Sequence, residues 1–173
     1  MKPSKQFFFY ICFIIIGFFI GCKILSEQPP PAEYDNADPL SIYTSYAPQK
    51  IDILPLTKIL SETSNNKSSN IIVYVSLLDA FNSSIKSPGI FRFELYEYVK
   101  RSPQPKGQRV KLCPDRDLLE PTENNTHWRD YFRTYQFNIT CNIQKDQSYI
   151  LQATFITPEQ KRLSDEMLLK PTE

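Results

Sequence analysis

The sequence predicts an all-β domain: an antiparallel two-sheet β-sandwich of immunoglobulin-like or C2-like type, with about seven strands, after an N-terminal signal helix. Three observations carry this expectation. From Lys50 onward the apolar residues recur with period two rather than 3.6. Clusters of turn-forming residues interrupt the chain at short intervals. Glycine is scarce, with four in the chain and Gly17 and Gly21 among the first residues. A small closed barrel needs glycine at its corners, so an open barrel is the second choice.

Taken in order, Ile51, Ile53 and Pro55 alternate with Asp52 and Leu54 in a first strand. Proline has no ladder donor, so Pro55 predicts an edge position or a bulge. Residues 65–70 (Asn-Asn-Lys-Ser-Ser-Asn) form a polar turn, and the nearly continuous apolar run 71–78 predicts a central strand covered on both faces. Residues 79–89 are a loop ending in the turn dipeptide Pro88-Gly89. The clearest strand follows, with Phe91, Phe93 and Leu95 on one face and Arg92, Glu94, Tyr96 and Tyr98 on the other. Residues 100–111 carry Lys100, Arg101, Lys106, Arg109 and Lys111 and read as a long basic hairpin loop leading into a short strand, 109–112. Residues 114–125 are acidic and irregular, and Asn125 or Thr126 is placed to cap a short helical turn holding His127, Trp128 and Tyr131. Trp128, Tyr131 and Phe132 are expected to plug one end of the sandwich. Strands at about 132–143, 149–156 and 162–169 complete the set, the last two joined as a hairpin.

Ahead of this domain stand Lys2 and Lys5, an apolar run over residues 7–20, and Phe19-Ile20-Gly21-Cys22. A basic start, an apolar segment and a small residue at the cut site describe an export signal. With cysteine following, the segment resembles the lipobox of a bacterial lipoprotein precursor, with Phe19 where leucine is usual. The resemblance implies a diacylglycerol on the Cys22 thiol, cleavage just before it and acylation of the new amino group. With the proline content and the period-two pattern it gives the expected domain plan: a signal peptide over 1–21, a proline-rich tether over 22–49 and the sandwich over 50–173. The protein would then be held by lipid in the bacterial cell envelope, facing the periplasm or the exterior. The alternatives are plain secretion and an uncleaved anchor. As a helix, residues 6–22 would span roughly 25 Å at ~1.5 Å per residue, short of the ~30 Å hydrocarbon core. Within the tether Pro29, Pro30 and Pro31 exclude helix and central strand. Residues 41–46 are richer in strand formers and either extend the tether or dock on the domain. Residues 71–78, 88–98, 128–138 and 149–169 are similar to uncharacterised envelope lipoproteins of planctomycete-like bacteria, a resemblance that carries no activity.

Charge and cysteines narrow the chemistry. Loss of Lys2 and Lys5 with the signal takes two from the 20 basic side chains, against 19 acidic ones. That near-neutrality argues against a nucleic-acid partner. Of the four cysteines, Cys12 leaves with the signal and Cys22 is the lipid site, so Cys113 and Cys141 belong to the domain. Cys141 shares the apolar phase of Tyr135, Phe137 and Ile139, whereas a strand continuing from Val110 and Leu112 would aim Cys113 the other way. The two either form a disulfide, which an oxidising compartment permits, or stay buried thiols. The one histidine, His127, has no nucleophile elbow to serve, so no catalytic residue and no cofactor are assigned. Asp115, Asp117, Glu120 and Glu123 are the weak metal candidates, spaced as a loop that would offer oxygens to Ca²⁺. Arg116 among them makes a solvated acidic loop the plainer account. The candidate binding face is Tyr96 and Tyr98 with Lys100, Arg101, Lys106 and Arg109, suited to a sugar ring, an acidic partner or headgroups. The functional expectation is a non-catalytic binding or assembly domain, anchored to the membrane by lipid on Cys22, with an envelope protein or polysaccharide as partner. A carbohydrate- or calcium-binding module is the alternative and a hydrolase the third choice.

Overall fold

A computed structural model describes residues 43–60, 69–144 and 147–170. The signal segment, Cys22, the tether as far as residue 42 and most of the turn expected at 65–70 lie outside the described residues.

Two antiparallel sheets pack face to face. The 6-stranded sheet is built on β3 (Ser69–Leu78). Along one side of β3 run β1 (Lys50–Ile53) and β2 (Lys58–Leu60). Along the other run β9 (Thr134–Cys141) and, beyond its end, β4 (Ser84–Ile85), with β8 (Trp128–Arg129) outside β9. The 5-stranded sheet has the order β11 (Arg162–Leu169), β10 (Tyr149–Ile156), β5 (Ile90–Tyr98), β6 (Lys106–Leu112), with β7 (Arg116–Asp117) also on β5. This is the antiparallel sandwich the period-two pattern predicts, and every expected strand is present. The short segments β2, β4, β7 and β8 were not foreseen, because two or three residues leave no periodicity to read.

Strand phase follows the alternation. Ile71, Val73, Val75 and Leu77 of β3 and Tyr135, Phe137, Ile139 and Cys141 of β9 point inward, facing Phe91, Phe93 and Leu95 of β5 and Leu151, Ala153 and Phe155 of β10. Phe91 sits at the centre, its ring 5.0 Å from Phe137, 4.8 Å from Phe155 and 5.3 Å from Tyr135. Ala153 stands opposite Phe93 in the β5–β10 ladder, a small residue beside a large ring. Gly89 is required by close approach, since a Cβ there would lie 2.3 Å from the Phe155 ring and 2.7 Å from the Ile156 carbonyl. The sheets are also pinned at an edge, where the backbone N–H of Ile53 donates to Asp165 Oδ2 at 2.7 Å.

Four expectations are corrected. The helix, α1, runs over Pro121–His127, so it ends where the helical turn was expected to begin. Pro121 fixes a helical φ at the first position, where its missing donor costs nothing, and Trp128 already belongs to β8. Residues 114–125 are therefore not irregular throughout, since they contain β7 and most of α1. The basic segment is not one long loop, because β6 begins at Lys106. Finally, Trp128 is buried at the end of the sandwich, but Tyr131 and Phe132 are exposed on the following turn.

The chain ahead of β1 docks on the domain. The Gln49 N–H donates to Leu78 O at 2.8 Å, the Ala80 N–H donates to Ser45 O at 3.2 Å, and the Tyr46 ring lies 5.8 Å from that of Phe81. The ordered unit thus starts before residue 50 and includes residues 43–49.

Candidate functional site

The expected binding face lies on the outer side of the 5-stranded sheet. Tyr96 and Tyr98 do point outward from β5 and are half-buried. The cations beside them are already committed. Lys106 reaches from β6 across β5, donating to Gln152 on β10 at 2.7 Å and to Glu166 on β11 at 2.5 Å. On the way its ammonium lies 4.2 Å from the Tyr96 ring centroid, a cation–π contact that covers the ring. Arg109 donates to Glu94 at 2.8 Å, and Arg92 grips Asp115 with two bonds of 2.9 and 2.7 Å. The Thr154 and Ser164 hydroxyls, 3.0 Å apart, extend the network to the edge strand. One hydrogen-bonded layer therefore ties the four long strands of this sheet together. Lys100 and Arg101 stand apart from it at the tip of the β5–β6 hairpin, exposed and without an ion pair among the described residues. Arg101 takes a left-handed conformation there, with φ 63°.

The acidic residues do not converge. Asp115 belongs to Arg92, whose hydrogen bond holds its carboxyl below the usual carboxylate range. Asp117 accepts from the Leu119 N–H at 2.9 Å, and Glu120 and Glu123 occupy the N-cap and first turn of α1. Among the described residues, no three His, Cys, Asp or Glu side chains gather as a metal site. His127 stacks on Phe137 at 4.7 Å with Nδ1 3.2 Å from Gln136 O, so its ring is used in packing.

Cys113 and Cys141 are both buried free thiols. The reading of Cys113 as turned away from the core is corrected. Val110 and Leu112 face solvent, and Cys113 points inward after its N–H donates to Phe93 O at 3.0 Å. Burial pushes the Cys113 thiol up, and burial together with the neighbouring Cys113 pushes Cys141 up to about 11. Both are protonated at neutral pH and poor nucleophiles.

A buried network around α1 was not foreseen in the sequence. Asn124 on α1 is buried; its amide donates to Ser87 O at 2.8 Å and Leu118 O at 3.1 Å, and its oxygen accepts from Tyr135 Oη at 2.9 Å. Tyr135 Oη in turn accepts from the Ser87 N–H at 3.0 Å. This network fixes α1 and the β4–β5 link, and beside it lies an open cleft of about 410 Å³ lined by Lys86, Pro88, Leu118, Leu119 and Pro121. Nearby, Phe81, Tyr131 and Phe132 join Tyr43 and Tyr46 as exposed rings. The available signal was an aromatic residue set inside polar turn sequence, as in Asp79-Ala80-Phe81-Asn82-Ser83.

Comparison of the chain with protein-family models, with curated proteins and with solved structures finds no match.

Proposed function

We propose that this is a lipid-anchored protein of the bacterial cell envelope whose sandwich domain binds or assembles without catalysing a reaction. The observation that carries the reading is Phe19-Ile20-Gly21-Cys22 at the end of an apolar run, followed by the proline-rich arm. A thiol acylated there would hold the domain at a membrane, since each buried methylene contributes ~0.8 kcal/mol and two or three chains anchor firmly. Binding rather than catalysis is supported by the use of His127 in packing and by the protonated, buried state of both domain thiols. A sugar platform on Tyr96 loses support because Lys106 covers that ring, and a calcium loop loses support because Arg92 occupies Asp115. For an acidic envelope protein or polysaccharide, Lys100 and Arg101 at the β5–β6 hairpin tip offer two exposed cations.

Anchoring is tested by Cys22→Ser. The variant should accumulate as an unprocessed, unlipidated precursor. Cleavage between Gly21 and residue 22 at wild-type levels, with a soluble product, would defeat the reading.

A further inference from the structure

We infer that the end of the domain at which the tether joins is built to sit on a phospholipid surface, through the exposed rings of Tyr43, Tyr46, Phe81 and Tyr131. The inference rests on the lipid-anchor reading above for the presence of a membrane; the geometry of the patch is independent of it.

The rings are presented, not merely left over. Phe81 is 65% exposed, on a turn held by the buried carboxylate of Asp79, whose Oδ1 accepts the backbone N–H of Phe81 at 2.8 Å and of Ser83 at 2.9 Å. Backbone bonds Asn82 N–H to Asp79 O and Asp79 N–H to Ser83 O, both 3.1 Å, close the same turn, with Asn82 in the left-handed region at φ 60°. Tyr131, 92% exposed, is held out by a second tight turn, in which the Arg133 N–H donates to Asp130 O at 3.2 Å with Arg133 at φ 51°. The two turns are tied through β4, where the Arg133 guanidinium donates to Ser84 O at 3.0 Å. Phe132 packs against both Tyr131 and Tyr74 and supports the second turn. A rigid turn that displays an apolar ring has already met the ordering cost that insertion would otherwise impose.

Position selects the occupant. Residues 43–49 carry Tyr43 and Tyr46, 71% and 61% exposed, and dock on the Phe81 turn through Tyr46 and Ser45, so the chain toward Cys22 continues from beside that turn. Even fully extended, the 20 residues between Cys22 and Tyr43 span at most about 70 Å. A lipid surface held within that reach presents a raised effective concentration to this end, so weak contacts suffice. Tyrosine and phenylalanine suit the boundary between headgroups and acyl chains, where a ring is part wet and part buried. Charge contributes little. Lys50, Lys86, Arg133 and Lys161 stand around the patch, but Asp52, Asp79 and Asp130 stand there too. Contact should therefore occur on zwitterionic lipid and strengthen only modestly with anionic lipid.

The test uses the full lipidated chain in phosphatidylcholine vesicles carrying a shallow spin-labelled lipid. A fluorophore is placed by Ser83→Cys beside the patch and, in a second preparation, by Gln104→Cys on the far hairpin. Cys113 and Cys141 are buried and do not compete for label. Quenching should be several-fold stronger at position 83 than at 104, and Phe81→Ser with Tyr131→Ser should bring it down to the level at 104. Both rings are largely exposed, so the variant should keep its melting temperature; Tyr131→Ser alone, the most exposed, serves as a second variant and should give part of the loss. Equal quenching at the two positions, or quenching unmoved by the substitutions, overturns the inference. Quenching that rises with protein density in the membrane also overturns it, by assigning the patch to a second copy. The mass of the N-terminal peptide reports separately on lipid at Cys22, so a failed anchor and a failed patch are told apart.

Discussion

The outer side of the 5-stranded sheet and the tether end of the domain use polar groups for opposite ends. On the sheet, Lys106, Arg109 and Arg92 turn to carboxylates and an amide on other strands or the β6–β7 link, and the half-buried Tyr96 is covered. At the tether end, Asp79 and Asp130 turn to their own backbone or to Trp128, and the aromatic rings beside them are left open. Charge next to aromatic residues therefore does not by itself mark a binding face. What distinguishes the two is whether the charged groups satisfy one another across strands or fix the local backbone.

Both regions hang on one core, so the largest effect comes from removing what they share. Phe93→Ala or Phe137→Ala should each cost ~3–5 kcal/mol in chemical denaturation, because their rings meet at 4.9 Å between the sheets. A loss well below that would mean the sheets do not pack through these rings. The comparison sharpens at two aspartates. Asp79→Ala removes two backbone bonds to a buried carboxylate and should cost ~1.5–3 kcal/mol. Asp115→Ala removes an exposed ion pair, discounted for solvent screening to ~0.2–1 kcal/mol. If the order reverses, the tether-end turn is not fixed as described. Tyr135→Phe, which leaves the buried Asn124 amide oxygen without its donor, belongs near the Asp79 value at ~1–3 kcal/mol.

The same ion pair carries a pH signature. The Asp115 carboxyl is lowered in the folded state, first by its hydrogen bond to Arg92. Its contribution is therefore present above the ordinary carboxylate range and lost as pH falls through the lowered folded value. The stability difference between wild type and Arg92→Gln should be constant near neutrality and vanish in acid; a difference that persists at the lowest accessible pH would refute the pairing. The smallest effect is expected at Asn138→Ala, an exposed β9 position, within about half a kcal/mol.

How much of this was legible follows the periodicity. Phe91, Phe93 and Leu95, and Tyr135, Phe137, Ile139 and Cys141, sit on long strands with one covered face, so their alternation gave the correct phase. Val110 and Leu112 misled because β6 is an edge strand whose residues are all exposed or half-buried, and apolar side chains there lie on the outside. Lys106 read as a loop residue for a related reason: charges on an edge strand guard it against further pairing, and its carboxylate partner Glu166 lies on a strand far away in sequence. Pro121 was a legible helix start, overlooked beside the acidic run. The exposure of Tyr131 was not readable, because a turn sequence does not say whether its aromatic residue folds back on the sheet, as Phe132 does, or stands away from it.

The contrast between a closed sheet face and an open tether end is tested most directly by hydroxyl-radical oxidation of the purified full chain in phospholipid vesicles, read at individual tyrosines. The fold alone ranks Tyr131 far above the half-buried Tyr96 and Tyr98. Seated on lipid, Tyr131, Tyr43 and Tyr46 should instead be oxidised more slowly than Tyr96 and Tyr98, inverting that order. Oxidation that follows exposure, with Tyr131 fastest, would contradict the account.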